Sequence, residues 1–173
     1  MEKYTACICE GGAERAILDL LLDAHKLIFE REDLIEEELL RCRNAREFER
    51  RYLKKGFSEK ITVYRILDSR RENFKLSKAY EQKIDVINVI TAPEIEMLII
   101  CCEGKYKEFK NSGLKPSVYC KTKLKLINVK NYEFIQTYFS DMHILINALH
   151  EYRRVSKIRK EEKTLFDLLK SSY

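Results

Sequence analysis

The chain has 173 residues, 45% hydrophobic and 35% charged, with only 5 Gly and 2 Pro, which excludes a disordered or low-complexity protein and suits one folded domain. The formal charge of +5 is small against 33 basic and 28 acidic residues, so composition permits a nucleic-acid partner without requiring one. Six cysteines, at 7, 9, 42, 101, 102 and 120, lack paired metal-ligand spacing and lie mostly in apolar runs, so they read as buried reduced thiols.

No apolar run approaches the ~20 residues of a membrane span. The chain opens on charged residues and then a strand, without a signal-peptide pattern, and a cytoplasmic protein is expected.

Tyr4 to Cys9 alternates short and β-prone side chains and stops at Glu10-Gly11-Gly12, which predicts a strand entering a glycine turn. Apolar residues then fall at Ala16, Ile17, Leu20 and Leu21, the spacing of a helix ending near Asp23. Lys26 to Phe29 reads as a short second strand. Leu34 to Lys55 reads as helix-rich, with Asn44 as an N-cap, an apolar stripe at Phe48, Tyr52 and Leu53, and a stop at Gly56.

Lys60 to Leu67 predicts a third strand, ending at Asp68-Ser69-Arg70, and a polar connection through Tyr80 leads to a fourth at Asp85 to Ile90. Thr91-Ala92-Pro93 opens the next helix, with Pro93 in the first turn, Glu94 and Glu96 complementing the dipole, and a body from Met97 to Phe109. Beyond Gly113, helical patterns recur at Pro116 to Leu124, Tyr132 to Phe139, Asp141 to Arg153 and Thr164 to Leu169.

Strands alternating with helical segments predict an α/β fold with a doubly wound, mostly parallel four-stranded sheet. The expected organisation is an α/β core over residues 1–110 and a helical C-terminal cap over 111–173, packed on the same domain. In such folds chemistry collects beyond the carboxyl ends of the strands. Glu10 and Asp68 each follow a strand, so neighbouring strands would bring both carboxylates to one crevice. A hard divalent cation is content with such oxygen donors plus water and phosphate oxygens.

These residues carry a resemblance. Cys9-Glu10-Gly11-Gly12-Ala13-Glu14 is similar to the opening of RloB-like proteins of the Toprim fold, in which a hydrophobic strand runs into a Glu-Gly turn followed by a second glutamate. Ile66-Leu67-Asp68-Ser69-Arg70 takes the place of the Asp-x-Asp motif. Thr91-Ala92-Pro93-Glu94-Ile95-Glu96-Met97-Leu98 resembles the Ser-x-Pro-x-Phe-Glu-x-Trp-Leu stretch after the fourth strand. The three matches come in order between residues 4 and 109.

The resemblance, to the branch that includes OLD nucleases, implies a Mg²⁺- or Mn²⁺-dependent nuclease of DNA or RNA acting in phage defence. Glu10, Asp68 and Glu96 would be catalytic, Glu10, Asp68, Glu14 and Glu72 would hold metal, and Arg70 and Arg71 would clamp phosphate. The chain departs from the pattern at Arg70, which stands where a second aspartate is expected. Either Glu72 substitutes for it, or the chain is a degenerate module that binds nucleic acid or a partner ATPase without cutting. The oligomeric state stays open.

Other features have plainer readings. Glu14 and Glu96 each suit the first turn of a helix on dipole grounds alone. His143 and His150 share a helix face without a third ligand, and Cys7 and Cys9 point to the same side of one strand as small hydrophobes. The basic run Arg153, Arg154, Lys157, Arg159 and Lys160 and the acidic run from Glu30 to Glu38 are either solvated faces or, for the basic one, a surface for phosphates. The Gly11-Gly12 turn has neither the lysine of a phosphate loop nor the G-x-G-x-x-G pattern, which disfavours a small-molecule phosphate enzyme.

Overall fold

A computed structural model describes residues 4–54, 57 and 60–171. Its frame is a parallel sheet of three strands in the order β1 (Thr5–Ile8), β2 (Ile61–Leu67) and β3 (Ile84–Ile90). The register sets Cys7 opposite Tyr64 and Tyr64 opposite Ile87. Because side chains alternate along a strand, the sheet has two apolar faces. Cys7, Ile66 and Val89 enter one core, whereas Ala6, Ile8, Ile61, Val63 and Ile84 enter the other.

Parallel neighbours require crossovers. From β1 to β2 the chain passes through α1 (Gly12–Asp23) and α2 (Ala45–Tyr52), which pack on opposite faces. The side chain of Asn44 caps α2 as the sequence predicts, accepting from the Glu47 N–H at 2.9 Å. Helices α3 (Met97–Cys102), α4 (Tyr106–Ser112), α5 (Pro116–Thr122), α6 (Tyr132–Tyr138) and α7 (Met142–Val155) follow β3. Ile99, Ile100, Ile135, Leu145 and Leu149 bring α3, α6 and α7 into the core that α1 also enters.

Several elements differ from expectation. The predicted second strand at Lys26 to Phe29 is absent from the sheet, which has three strands rather than four among the described residues. Leu27 instead makes an isolated antiparallel bridge with Leu169, the Ile28 N–H donating to Leu168 and the Lys170 N–H to the Lys26 carbonyl. The chain's last turn thus takes the hydrogen bonds that would have made this segment a sheet strand.

Only the second half of Leu34 to Lys55 is α-helical; 3₁₀ turns at Arg31–Asp33 and Ile35–Glu37 precede it, and Glu36 and Glu37 have positive φ, which breaks a right-handed helix. Lys55 and Gly56, where that helix was expected to stop, lie outside the described residues.

The body predicted from Met97 to Phe109 is split at Gly104. Its φ of 64° lets the Gly104 N–H reach Cys101 and the Lys105 N–H reach Ile100, a Schellman termination of α3. Pro93 lies in a turn ahead of α3 rather than in its first turn, and Glu96 occupies the N-cap position.

Both sheet edges are covered by irregular chain. Leu40 exchanges hydrogen bonds with Cys7 and Cys9 beside β1, and Lys163 does so with Asn88 and Ile90 beside β3. These bonds satisfy backbone groups that an open edge would expose.

Candidate functional site

With all three strands parallel, the chain leaves each of them at the same edge of the sheet. Glu10 follows β1, Asp68 follows β2, and Thr91 to Glu96 follow β3. Glu10 and Asp68 are exposed, and neither carboxylate has a hydrogen-bond or ion-pair partner among the described residues.

Glu14 lies behind them in the first turn of α1, only 7% exposed. Its carboxylate accepts the Gly11 N–H at 3.1 Å and the Thr91 hydroxyl at 3.4 Å, tying the β1–α1 turn to the end of β3. Burial raises its pKa and the nearby Asp68 charge adds to the rise, while backbone donors at Gly11 and Glu10 and the Thr91 hydroxyl oppose it. Glu96, 2% exposed, is also pushed up by burial, against its own N–H and the Lys130 ammonium.

Two cations complete the surroundings. Lys130, from the loop before α6, reaches Glu94 at 3.3 Å, and Glu96, Glu94 and Asp68 all hold its pKa up against desolvation. Gly12 allows that loop to come close: a Cβ there would stand 3.3 Å from the Lys130 carbonyl. Arg65 on β2 is 4% exposed, lies 4.5 Å above the Phe74 ring and pairs with Glu72 at 2.9 Å. Burial lowers the Arg65 pKa and, with the charges of Glu10 and Asp68, raises that of Glu72.

Arg70 turns away from the carboxylates. Its Nε and Nη2 donate to the two Glu162 oxygens at 2.7 and 2.9 Å, and Nη2 also donates to the Lys157 carbonyl at 3.0 Å. The fork-like pair ties the loop after β2 to the segment after α7. Arg71 is exposed, its N–H bound to the Ser69 hydroxyl, and its guanidinium has no partner among the described residues.

The donors at the strand ends are oxygen only and open to solvent. Among the described residues no three His, Cys, Asp or Glu side chains are close enough together to enclose a metal ion. The residues present therefore suit an open site on Glu10 and Asp68, with Glu14, Glu72 and Glu96 nearby, and do not suit a closed cage. His150 packs edge-on against Phe166, and burial pushes the Cys9 thiol up to about 12.

Lys130, Arg65 and Glu162 were not foreseen as site residues. Arg65 did carry a signal, since it falls in phase with the inward Ile61 and Val63. Lys130 and Glu162 lie far along the chain in polar stretches without a periodic pattern.

Fold and site together define an α/β protein whose parallel sheet gathers acidic loops at one edge. Compared with family models, with curated proteins and with solved structures, the chain has no significant match. No helix among the described residues is long and apolar enough to cross a membrane.

Proposed function

We propose that this chain is a Toprim-type nuclease that hydrolyses phosphodiesters of DNA or RNA with Mg²⁺ or Mn²⁺, and that it acts in phage defence. The observation that supports the reading is the pair of unpartnered carboxylates, Glu10 and Asp68, at the ends of adjacent parallel strands, backed by buried Glu14 and Glu96. Two exposed carboxylates without an ion pair among the described residues favour a bound cation, and Glu10 and Asp68 are the residues that would hold it. A bound divalent ion would supply charge stabilisation at the scissile phosphate. Glu10, where it is not a ligand, would act as general base toward water.

The test is incubation of purified protein with plasmid, single-stranded DNA and RNA in Mg²⁺ or Mn²⁺, with Glu10→Gln and Asp68→Asn in parallel. Loss of cleavage in both variants is expected; equal activity in wild type and Glu10→Gln rejects the reading.

One observation favours a second reading, a module that binds nucleic acid or a partner ATPase without cutting. Arg70, where the resembling motif has an acid, is held by Glu162. Calorimetric titration with Mg²⁺ and Mn²⁺ separates the two: stoichiometric binding lost in Asp68→Asn supports a working site, and no heat in the wild type supports the module.

A further inference from the structure

The loops that end β2 and β3 also form a groove. Arg70, Ala92 and Pro93 meet α4 and the chain leaving α7 around a space of 340 Å³, within the range of about 300–1,000 Å³ common to ligand pockets. Its walls are largely apolar. Tyr106, Phe109 and Ile158 line it and are half-buried, and Pro93 is exposed. The Phe109 ring packs edge-on against Tyr119 at 5.4 Å. The Tyr152 hydroxyl beneath is already engaged, donating to the Ala92 carbonyl at 2.7 Å.

The rim is positive. Lys110 and Lys157 line the groove, both exposed, and neither ammonium has a partner among the described residues. Arg70 is neutralised by Glu162, and among the described residues no Asp or Glu lines the groove. Planar aromatic and apolar walls beside uncompensated lysines are what an unpaired base and its phosphates require. A duplex, with its bases stacked inside, presents no free base to such a space.

We propose that this groove binds single-stranded nucleic acid, seating an unpaired base on its apolar walls with the flanking phosphates on Lys110 and Lys157. The proposal rests on the nuclease reading only in part: the loops after β2 and β3 that wall the groove at Arg70, Ala92 and Pro93 also carry Asp68 and Glu96.

Fluorescence anisotropy of the full chain in EDTA, with labelled oligothymidine, oligouridine and a duplex, tests binding apart from cleavage. Wild type should bind one or both single strands more tightly than the duplex. Lys110→Glu combined with Lys157→Glu should weaken binding by about tenfold or more and flatten the salt dependence, since each lost phosphate contact removes about 0.7 from the slope of log K against log salt. Phe109→Leu, chosen to keep the core filled, should weaken binding about tenfold through lost stacking.

Binding unchanged in the lysine variant overturns the proposal, as does preference for the duplex or for an oligoglutamate peptide used as competitor, or no binding by any strand. Cleavage without groove-dependent binding would remove the groove and leave the nuclease reading standing. Groove-dependent binding without cleavage would do the reverse.

Discussion

Glu14 and Glu96 are the residues in which burial and charge conflict. Each is buried with a pKa above its ordinary value of 4.5, so the folded protein holds their protons more tightly than the unfolded chain does. Their contribution to stability is therefore fully present below pH 4.5 and is lost as pH rises through the raised folded values. Glu14→Gln keeps an oxygen for the Gly11 N–H but cannot ionise. Urea midpoints from pH 4.5 upward should show this variant gaining on wild type as pH rises, and a constant difference would contradict the assignment.

Arg65 makes a different prediction. Its guanidinium lies over Phe74 and pairs with Glu72, itself exposed, so truncation loses mainly packing. Arg65→Ala should destabilise the fold by roughly 1–3 kcal/mol. Arg65→Lys should recover only part of this, because an ammonium lacks the planar face that stacks; denaturant unfolding of both variants is the check.

At the scale of elements, the end of α3 and the start of α2 decide where chain segments can go. Gly104 has a φ of 64° with open space around its absent Cβ, so an alanine there meets backbone strain but no clash. Gly104→Ala should cost about 1–2 kcal/mol, the penalty of placing an L-residue in the left-handed region. Asn44→Ala should cost about 1 kcal/mol through loss of the α2 cap. Thermal unfolding of the two variants separates them from an exposed control substitution such as Lys121→Ala.

The α2 cap was legible because capping is a local interaction between residues three apart. The split of the α3–α4 segment was hidden because apolar spacing runs on through Gly104 as if one helix continued. The sequence at Lys26 to Phe29 reads as a strand, but it joins no sheet. Its partner proved to be Leu169, and no local pattern announces a partner so distant in sequence.

For the molecule as a whole, the helices beyond residue 111 and the sheet share one core. Leu145 and Leu149 of α7 and Ile135 of α6 are buried in the same cluster as Ile17, Ile66 and Ile99. Tyr152 hydrogen-bonds the Ala92 carbonyl, and Lys130 stands among Glu94, Glu96 and Asp68. A fragment ending at residue 110 should therefore lack a cooperative unfolding transition, since it would expose Ile99 and Ile100. Circular dichroism melting of that fragment against the full chain measures this directly.

By itself the sequence determined what depends on nearest neighbours along the chain. β-prone side chains marked the three strands that form, the spacing of Ala16, Ile17, Leu20 and Leu21 marked α1, and acids following strands pointed to one edge of a parallel sheet. Only the tertiary structure decided the number of strands, the covering of the sheet edges by Leu40 and Lys163, and the company the carboxylates keep. It drew Arg70 onto Glu162 and brought Lys130 up to Glu94, contacts spanning 92 and 36 positions of the chain. The physical reason is that charge pairing and edge coverage depend on distances in space, which are established only after the two cores have closed around the sheet.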